Sequence, residues 1–367
     1  MVHSLQLLNL WTYKKEPILG ERKINKGDSS PFIEKYQLTE KEITRALSFT
    51  DFYLYTKDIL GNSILFYPNK DTPTKILSKN KKLMSYFIKK IKETYEKYDR
   101  KDDFVVFFED RSFRVCAIKN SMQGTIFALR QTNIEYNDFF KLDLGKRVEE
   151  ELMHDRLNKG GIVIIAGSPG NGKTTTSSAL IVSRLEEYGG VCITVEDPPE
   201  YPLMGRHGKG ICIQTEVAEG NFDKAIKVSM RSYPTGQRSI MFVGEIRDSE
   251  TAVEAIKASI DGRLVIVTLH ASSAFNAIKR IANLAHSAIG DEAYHMLGES
   301  FRVAIHQSLS VKGFGGSFNM NTEILVNNTA CVNHIKSNKI DLLRNQVDFQ
   351  SKRFESGRSV EYHNDED

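Results

Sequence analysis

Eight consecutive residues, Gly167-Ser168-Pro169-Gly170-Asn171-Gly172-Lys173-Thr174, fill the pattern G-x-x-x-x-G-K-[ST]. Each residue type has a physical reason to stand there. Glycines let the backbone curl so that successive N–H groups converge on phosphate oxygens. A helix following such a loop turns its positive end toward the same anion. Lys173 would neutralise β- and γ-phosphates, and Thr174, followed by Thr175, would offer a hydroxyl to Mg²⁺. The apolar run GIVIIA ahead and a helical stretch behind supply a setting that a chance glycine-rich turn lacks. The chemistry implied is binding of ATP or GTP.

Acids stand at the ends of two further apolar runs, where ligands collect in open α/β sheets. In Val195-Glu196-Asp197-Pro198-Pro199-Glu200, two prolines end the strand and hold the following acid in a rigid turn. From there Glu200 could orient or deprotonate a water attacking the γ-phosphate. In Ile240-Met241-Phe242-Val243-Gly244-Glu245, a buried strand ends in an acid, the Walker B arrangement for holding Mg²⁺. His270 closes the run LVIVTL at the same expected sheet edge and is read as a γ-phosphate contact. The plainer alternatives are solvated carboxylates at loop starts and a structural histidine.

The elements that must position these residues lie from Gly160 onward. GIVIIAG, VCITVE, ICIQTEV, IMFVGE and LVIVTLH are apolar runs of strand length, separated by helical stretches such as TTTSSALIVSRLEEYGG. Continuous apolar strands alternating with helices indicate an α/β domain with a mostly parallel sheet covered on both faces. Gly189–Gly190 is the natural stop of the first helix.

Before residue 130 the text is richer in Lys, Tyr, Phe and Asn. Leu83, Phe87 and Ile91 recur at helical spacing within 79–101, with lysines on the other positions, as in an amphipathic helix with a solvated basic face. DFVVFFED, FRVCAI and GTIFALR then read as neighbouring strands, making a smaller α+β unit. The expected division is 1–135 for that unit, 136–355 for the phosphate-loop domain with C-terminal helices, and 356–367 for a polar, frayed tail.

The 367 residues exceed what one core usually serves, in line with two domains. With 40% hydrophobic and 26% charged residues and a net charge of +3, the balance is that of a folded protein, and the charge alone implies no nucleic-acid partner. No run reaches the roughly 18 apolar residues of a membrane span. The opening MVHSLQLLNLWTYKKEP lacks a basic leader and cleavage site, so a cytoplasmic location with peripheral membrane contact is expected. Cys116, Cys192, Cys212 and Cys331 form no CxxC pair, which argues against zinc and against a disulfide framework.

Taken in order, GSPGNGKTTT, ITVEDPPEY, FVGEIRDSETAVEA and GRLVIVTLHASSA resemble the Walker A, aspartate-box, Walker B and histidine-box motifs of the type II/type IV secretion and type IV pilus ATPase superfamily. The tail TEILVNNTACVNHIKSNKIDLLRNQ is similar to the C-terminal helical region of the pilus-retraction branch. The resemblance covers about residues 105 to 350. It implies a homo-hexameric ring of chains, each with a PAS-like N-terminal and a RecA-like C-terminal domain, working on an inner-membrane platform protein. Nucleotide would sit between the domains. By the same resemblance Glu200 is the general base, Glu245 the Walker B acid and His270 the second histidine of its box. Arg114 and Arg130, on the strands matching FRVCAI and FALRQT, are the arginines that reach the phosphates.

The chain departs from the family pattern at four points. Arg263 replaces the first histidine of the histidine box, and MRSYPTGQRSIMFVGE stands where LRxDPD is usual. Ser112 occupies the place of an arginine, and the zinc-binding tetracysteine module is absent. These features point to a divergent retraction-type, conjugative or type IVB branch. The competing readings are a RecA-like motor that itself grips nucleic acid and a regulatory nucleotide-binding protein with little turnover. The near-neutral charge and the lack of a stacking platform oppose the first. Intact Lys173, Glu200 and Glu245 oppose the second.

Overall fold

The computed structural model describes residues 49–55, 63–66, 74–75, 81–108, 111–120, 124–133, 138–217, 220–312, 317–358, 360 and 362. The opening segment read above for a leader lies outside the described residues.

The N-terminal unit is an antiparallel sheet with one helix across it. Its strands are β1 (Asp51–Tyr55), β2 (Ile64–Phe66), β3 (Thr74–Lys75), β4 (Asp103–Phe108), β5 (Arg111–Asn120) and β6 (Gly124–Asn133), in the order β3-β2-β1-β6-β5-β4. Helix α1 (Lys81–Lys97) buries Leu83, Phe87 and Ile91, together with Met84, Ile88 and Tyr95. They pack on Phe52, Phe104, Phe113, Val115 and Phe127, the inward residues of the strands. Three- and four-residue spacing on the helix thus meets two-residue spacing on the sheet.

The second sheet holds β7 (Gly161–Ala166), β8 (Gly190–Glu196), β9 (Gly205–His207), β10 (Gly210–Glu216), β11 (Ser239–Val243), β12 (Leu264–Leu269), β13 (Phe301–Lys312) and β14 (Ser317–Val326). Their order is β14-β13-β7-β12-β11-β8-β10-β9. The six strands from β13 to β10 run parallel to their neighbours, and β14 and β9 add antiparallel edges. Every residue of β7 and β12 is buried, the physical counterpart of their unbroken apolar text.

Helices α2 (Lys146–Met153) and α3 (Lys173–Tyr188) cover one face through Val148, Leu152, Leu180 and Leu185. The other face carries α4 (Phe222–Met230), α5 (Ser249–Ile260), α6 (Ala274–Ile289) and α7 (Glu292–Ser300), and beyond them α8 (Thr329–Lys336) and α9 (Leu343–Glu355). Helix α3 ends at Gly189, whose φ of 71° and N–H to the Leu185 carbonyl make the expected stop. Asp248, inside the Walker B segment, caps α5 by accepting from the Thr251 N–H at 2.8 Å.

Two expectations change. The segment beginning TEILV is not helical throughout. Thr322–Val326 belongs to β14, because the apolar ILV is paired along β13, and helix returns only at Thr329. The tail is also not frayed where it is described. Val360 is buried, and the Tyr362 hydroxyl donates to Glu151 at 2.6 Å while accepting from Arg147 at 3.1 Å.

Candidate nucleotide-binding site

The loop after β7 is shaped by glycine and held from beneath by β13. Gly172 has a φ of 78°, a left-handed backbone that opens α3 and that other residues rarely adopt. A Cβ on Gly167 would lie 2.5 Å from the Gln307 carbonyl, so only glycine permits this approach. The Gln307 amide donates to the Asn171 carbonyl at 2.6 Å, and the Leu309 N–H donates to the Asn171 side chain at 3.3 Å. Gln307 is fully buried, which fixes the loop to the sheet rather than to solvent.

Lys173 starts α3 beneath the loop. Its ammonium donates to the carbonyls of Gly167 and Ser168 at 3.0 and 3.1 Å and lies 3.2 Å from His270 Nδ1. Burial pulls its pKa below the ordinary lysine value, and the charges of Glu245 and Glu200 oppose that shift. His270 Nε2 in turn faces Glu245 Oε1 at 3.4 Å. His270 Nδ1 also lies 3.1 Å from the Gly167 carbonyl, so the ring is held between the loop and Lys173 on one side and Glu245 on the other. The other Glu245 oxygen accepts from Arg247 at 2.6 and 2.8 Å.

Facing them is the acidic turn after β8. The Thr175 and Tyr201 hydroxyls are 2.8 Å apart, and the Gln214 amide donates to both the Tyr201 carbonyl and Glu196. Ser112 of β5 donates to the Glu200 backbone carbonyl at 3.2 Å. Arg114 of the same strand lies 3.9 Å from the Glu200 carboxylate while paired to Asp103 at 2.6 Å. The short side chain at position 112 lets the N-terminal sheet come this close to the turn.

Together these groups enclose a cleft of about 520 Å³, within the range that takes a nucleotide-sized ligand. Pro169, Gly170, Gly172, Lys173, Thr174 and Thr175 line it from the loop, and Glu200, Glu245, His270 and Arg114 from the other elements. Gly167, Ser168 and Asn171 complete the loop behind this surface. Arg130 pairs in register with Arg114, but it is 77% exposed, bound to Asp51 at 3.0 Å, and not among the lining residues. Among the described residues, no group of three His, Cys, Asp or Glu could hold a metal ion by itself. Thr174 and Glu245 nevertheless offer a purely oxygen donor set. That incomplete set suits Mg²⁺, which usually shares one or two carboxylates with phosphates and water.

Glu196 and Arg247 line the cleft without having been singled out from sequence. Glu196 carried a legible signal, since like Glu245 it ends an apolar strand. It is 2% exposed, and burial lifts its pKa to about 7 against hydrogen bonds from Gln214 and Thr194. Arg263 lies at the opposite end of β12 from His270, about 20 Å away at strand rise. There it donates to the Met230 carbonyl at 3.1 Å and covers Tyr233, whose hydroxyl is bonded to Ile240 of β11. The replaced histidine position therefore anchors the altered segment before β11 and takes no part in the cleft.

A RecA-like phosphate-loop domain preceded by a small antiparallel-sheet unit is the class these features define. The family described as "Type II/IV secretion system protein" matches residues 103–337, nearly two thirds of the chain, and the chain belongs to it. The type IV pilus ATPase PilU of Pseudomonas aeruginosa is 28% identical over 63% of this chain and 58% of its own length. A twitching motility protein of Neisseria gonorrhoeae is 32% identical over 45% of this chain and 47% of its own. The chain thus spans about half the length of these curated relatives. Among solved structures, the pilus retraction motor PilT with bound ADP superposes with a TM-score of 0.66 at 26% identity, covering 87% of this chain and 93% of PilT. The Legionella pneumophila ATPase DotB gives 0.65 at 21% identity, over 88% and 92% of the two chains, a likeness of fold.

Proposed function

We propose that this chain hydrolyses ATP with Mg²⁺ as one subunit of a homo-hexameric motor. The motor would drive a type IV secretion, conjugation or retraction-like pilus machine, docked on an inner-membrane platform protein from the cytoplasmic side. The observation that carries the reading is one convergence. Lys173, His270 and Glu245 meet beyond the ends of three neighbouring strands, β7, β12 and β11, and face Glu200 and Arg114 across a single cleft.

In this reading the loop N–H groups and Lys173 bind the phosphates, and Thr174 and Glu245 hold Mg²⁺, which when bound neutralises phosphate charge. His270 links Glu245 to Lys173 and reaches the γ-phosphate. Glu200 orients the attacking water and takes its proton. Arg114 neutralises charge developing on the transferred phosphoryl group, and Arg130, exposed on the adjacent strand, is offered to the site of a neighbouring subunit. Separation of the chain near residue 135 into two domains fits this division of labour, because closing one on the other would bring Arg114 to the phosphates.

The test is ATP hydrolysis per chain as a function of chain concentration, with Lys173→Ala as the blank. A specific rate that rises with concentration supports sites completed between subunits. A flat rate from a particle sized as a monomer overturns the ring, and no rate above the blank overturns the hydrolase.

A further inference from the structure

The turn between α1 and β4 ends on Lys101, whose ammonium reaches across to the phosphate-loop domain. It lies 3.1 Å from Asp197 Oδ1 and 3.1 Å from Glu216 Oε1, with all three side chains only about a quarter exposed. The backbone is bent to deliver it. Asp99 and Arg100 have φ of 48° and 61°, a left-handed pair that non-glycine residues adopt at a cost. The Arg100 N–H returns to the Tyr95 carbonyl and the Lys101 N–H to that of Tyr98.

The two acids it joins are not a random pair. Asp197 is the first residue of the turn that carries Glu200, and Glu216 ends β10 in register with Glu196 of β8. Glu196, Asp197, Glu200 and Glu216 therefore crowd one corner of the sheet, where like charges repel. Lys101 supplies a positive charge between two of them. Burial works against that charge, but hydrogen bonds to Glu216 and Asp197 outweigh it and raise the lysine pKa. With Ser112 and Arg114 on Glu200 and the Tyr98 side chain hydrogen-bonded to Glu216, four side chains of the N-terminal unit grip this corner from one direction.

We infer that Lys101 is a positioning residue. By bridging Asp197 and Glu216 it fixes the acidic turn so that Glu200 faces the cleft, and it does so only while the N-terminal sheet is seated. This rests on the reading of Glu200 as the hydrolytic base. Lys101 touches no reacting atom; it acts through the turn.

The experiment compares full-length wild type, Lys101→Ala and Lys101→Arg by steady-state ATP hydrolysis and by amide hydrogen exchange over 197–204 and over β12. Lys101→Ala is expected to lower kcat about tenfold with KM nearly unchanged. It should speed exchange in the turn and leave β12 as protected as before. Lys101→Arg, which keeps the charge and the reach, should restore most of both. Unchanged kcat with unchanged exchange, a rise in KM alone, or equal damage from Ala and Arg would overturn the inference. If wild type shows no turnover above Lys173→Ala, the hydrolase reading fails separately, and the exchange comparison still decides whether Lys101 orders the turn.

Discussion

The phosphate-loop wall of the cleft and the wall contributed by the N-terminal sheet are fastened by different means. On the loop side, Gln307 is buried and bonded to Asn171, and Lys173 is 9% exposed among carbonyls. On the N-terminal side, Arg114 is 45% exposed and restrained by Asp103 of its own sheet, and its strand neighbour Arg130, outside the cleft lining, is 77% exposed and held by Asp51. Hydrogen bonds to a buried strand are costly to break, whereas exposed ion pairs contribute about 0–1 kcal/mol each. The loop wall is therefore built to keep its shape, and the arginine wall is built to exchange partners. On the proposed reading, an arginine that exchanges an acid for a phosphate is better held weakly.

The sharpest break of this comparison is Lys173→Ala on the rigid wall. Turnover should fall by roughly 10³-fold or more, measured as phosphate release, because the phosphates lose a buried positive partner. Glu200→Gln comes next, with hydrolysis expected to drop about 10²- to 10⁴-fold while binding of a fluorescent ATP analogue persists. Hydrolysis left intact would remove Glu200 as the base. On the exchangeable wall, Arg114→Ala should cost about 10- to 100-fold in kcat with little change in nucleotide affinity. Arg130→Ala should cost less, and only at concentrations where chains associate. Equal effects of the two on dilute chains would contradict the distinction drawn between lining and exposed arginine.

The smallest effect concerns stability. A carboxyl whose folded pKa stands near 7, above the ordinary 4.5, binds its proton more tightly when folded. Its contribution is retained below pH 4.5 and lost as pH rises through 7. Glu196→Gln should thus raise the unfolding temperature at pH 8 by about 5 °C and leave it unchanged at pH 4, the full penalty being about 3 kcal/mol. Calorimetry at the two pH values reads this directly.

How much of this was legible depended on where each residue's constraint originates. Strands β7, β8, β11 and β12 were visible because burial on both faces writes continuous apolar text, and β10 because its ICI run is apolar even though Ile211 and Ile213 are exposed. The β13–β14 hairpin was not, since FRVAIHQSLSVK and SFNMNTEILV mix polar residues into every other position or so, and β9 is only three residues long. The phosphate loop was legible whole, because its chemistry is local in sequence. Gln307, which holds that loop, lies far along the chain in a strand with no motif of its own. Lys101 sat unremarked at the end of a lysine-rich helix, because only the docking of one sheet unit on another gives it partners. Arg263 stood out as a departure, but its purpose depends on Tyr233, which the altered segment brings beneath it.

The bond from Gln307 to Asn171 joins residues 136 positions apart. At ribosomal speeds of about 5–20 residues per second, the loop emerges roughly 7–27 seconds before the strand that braces it. Throughout that interval the nascent chain carries the glycine-rich loop and Lys173 without their anchor, and β7 lacks its neighbour on that side. The loop therefore reaches its braced shape only once β13 has been made, late in synthesis.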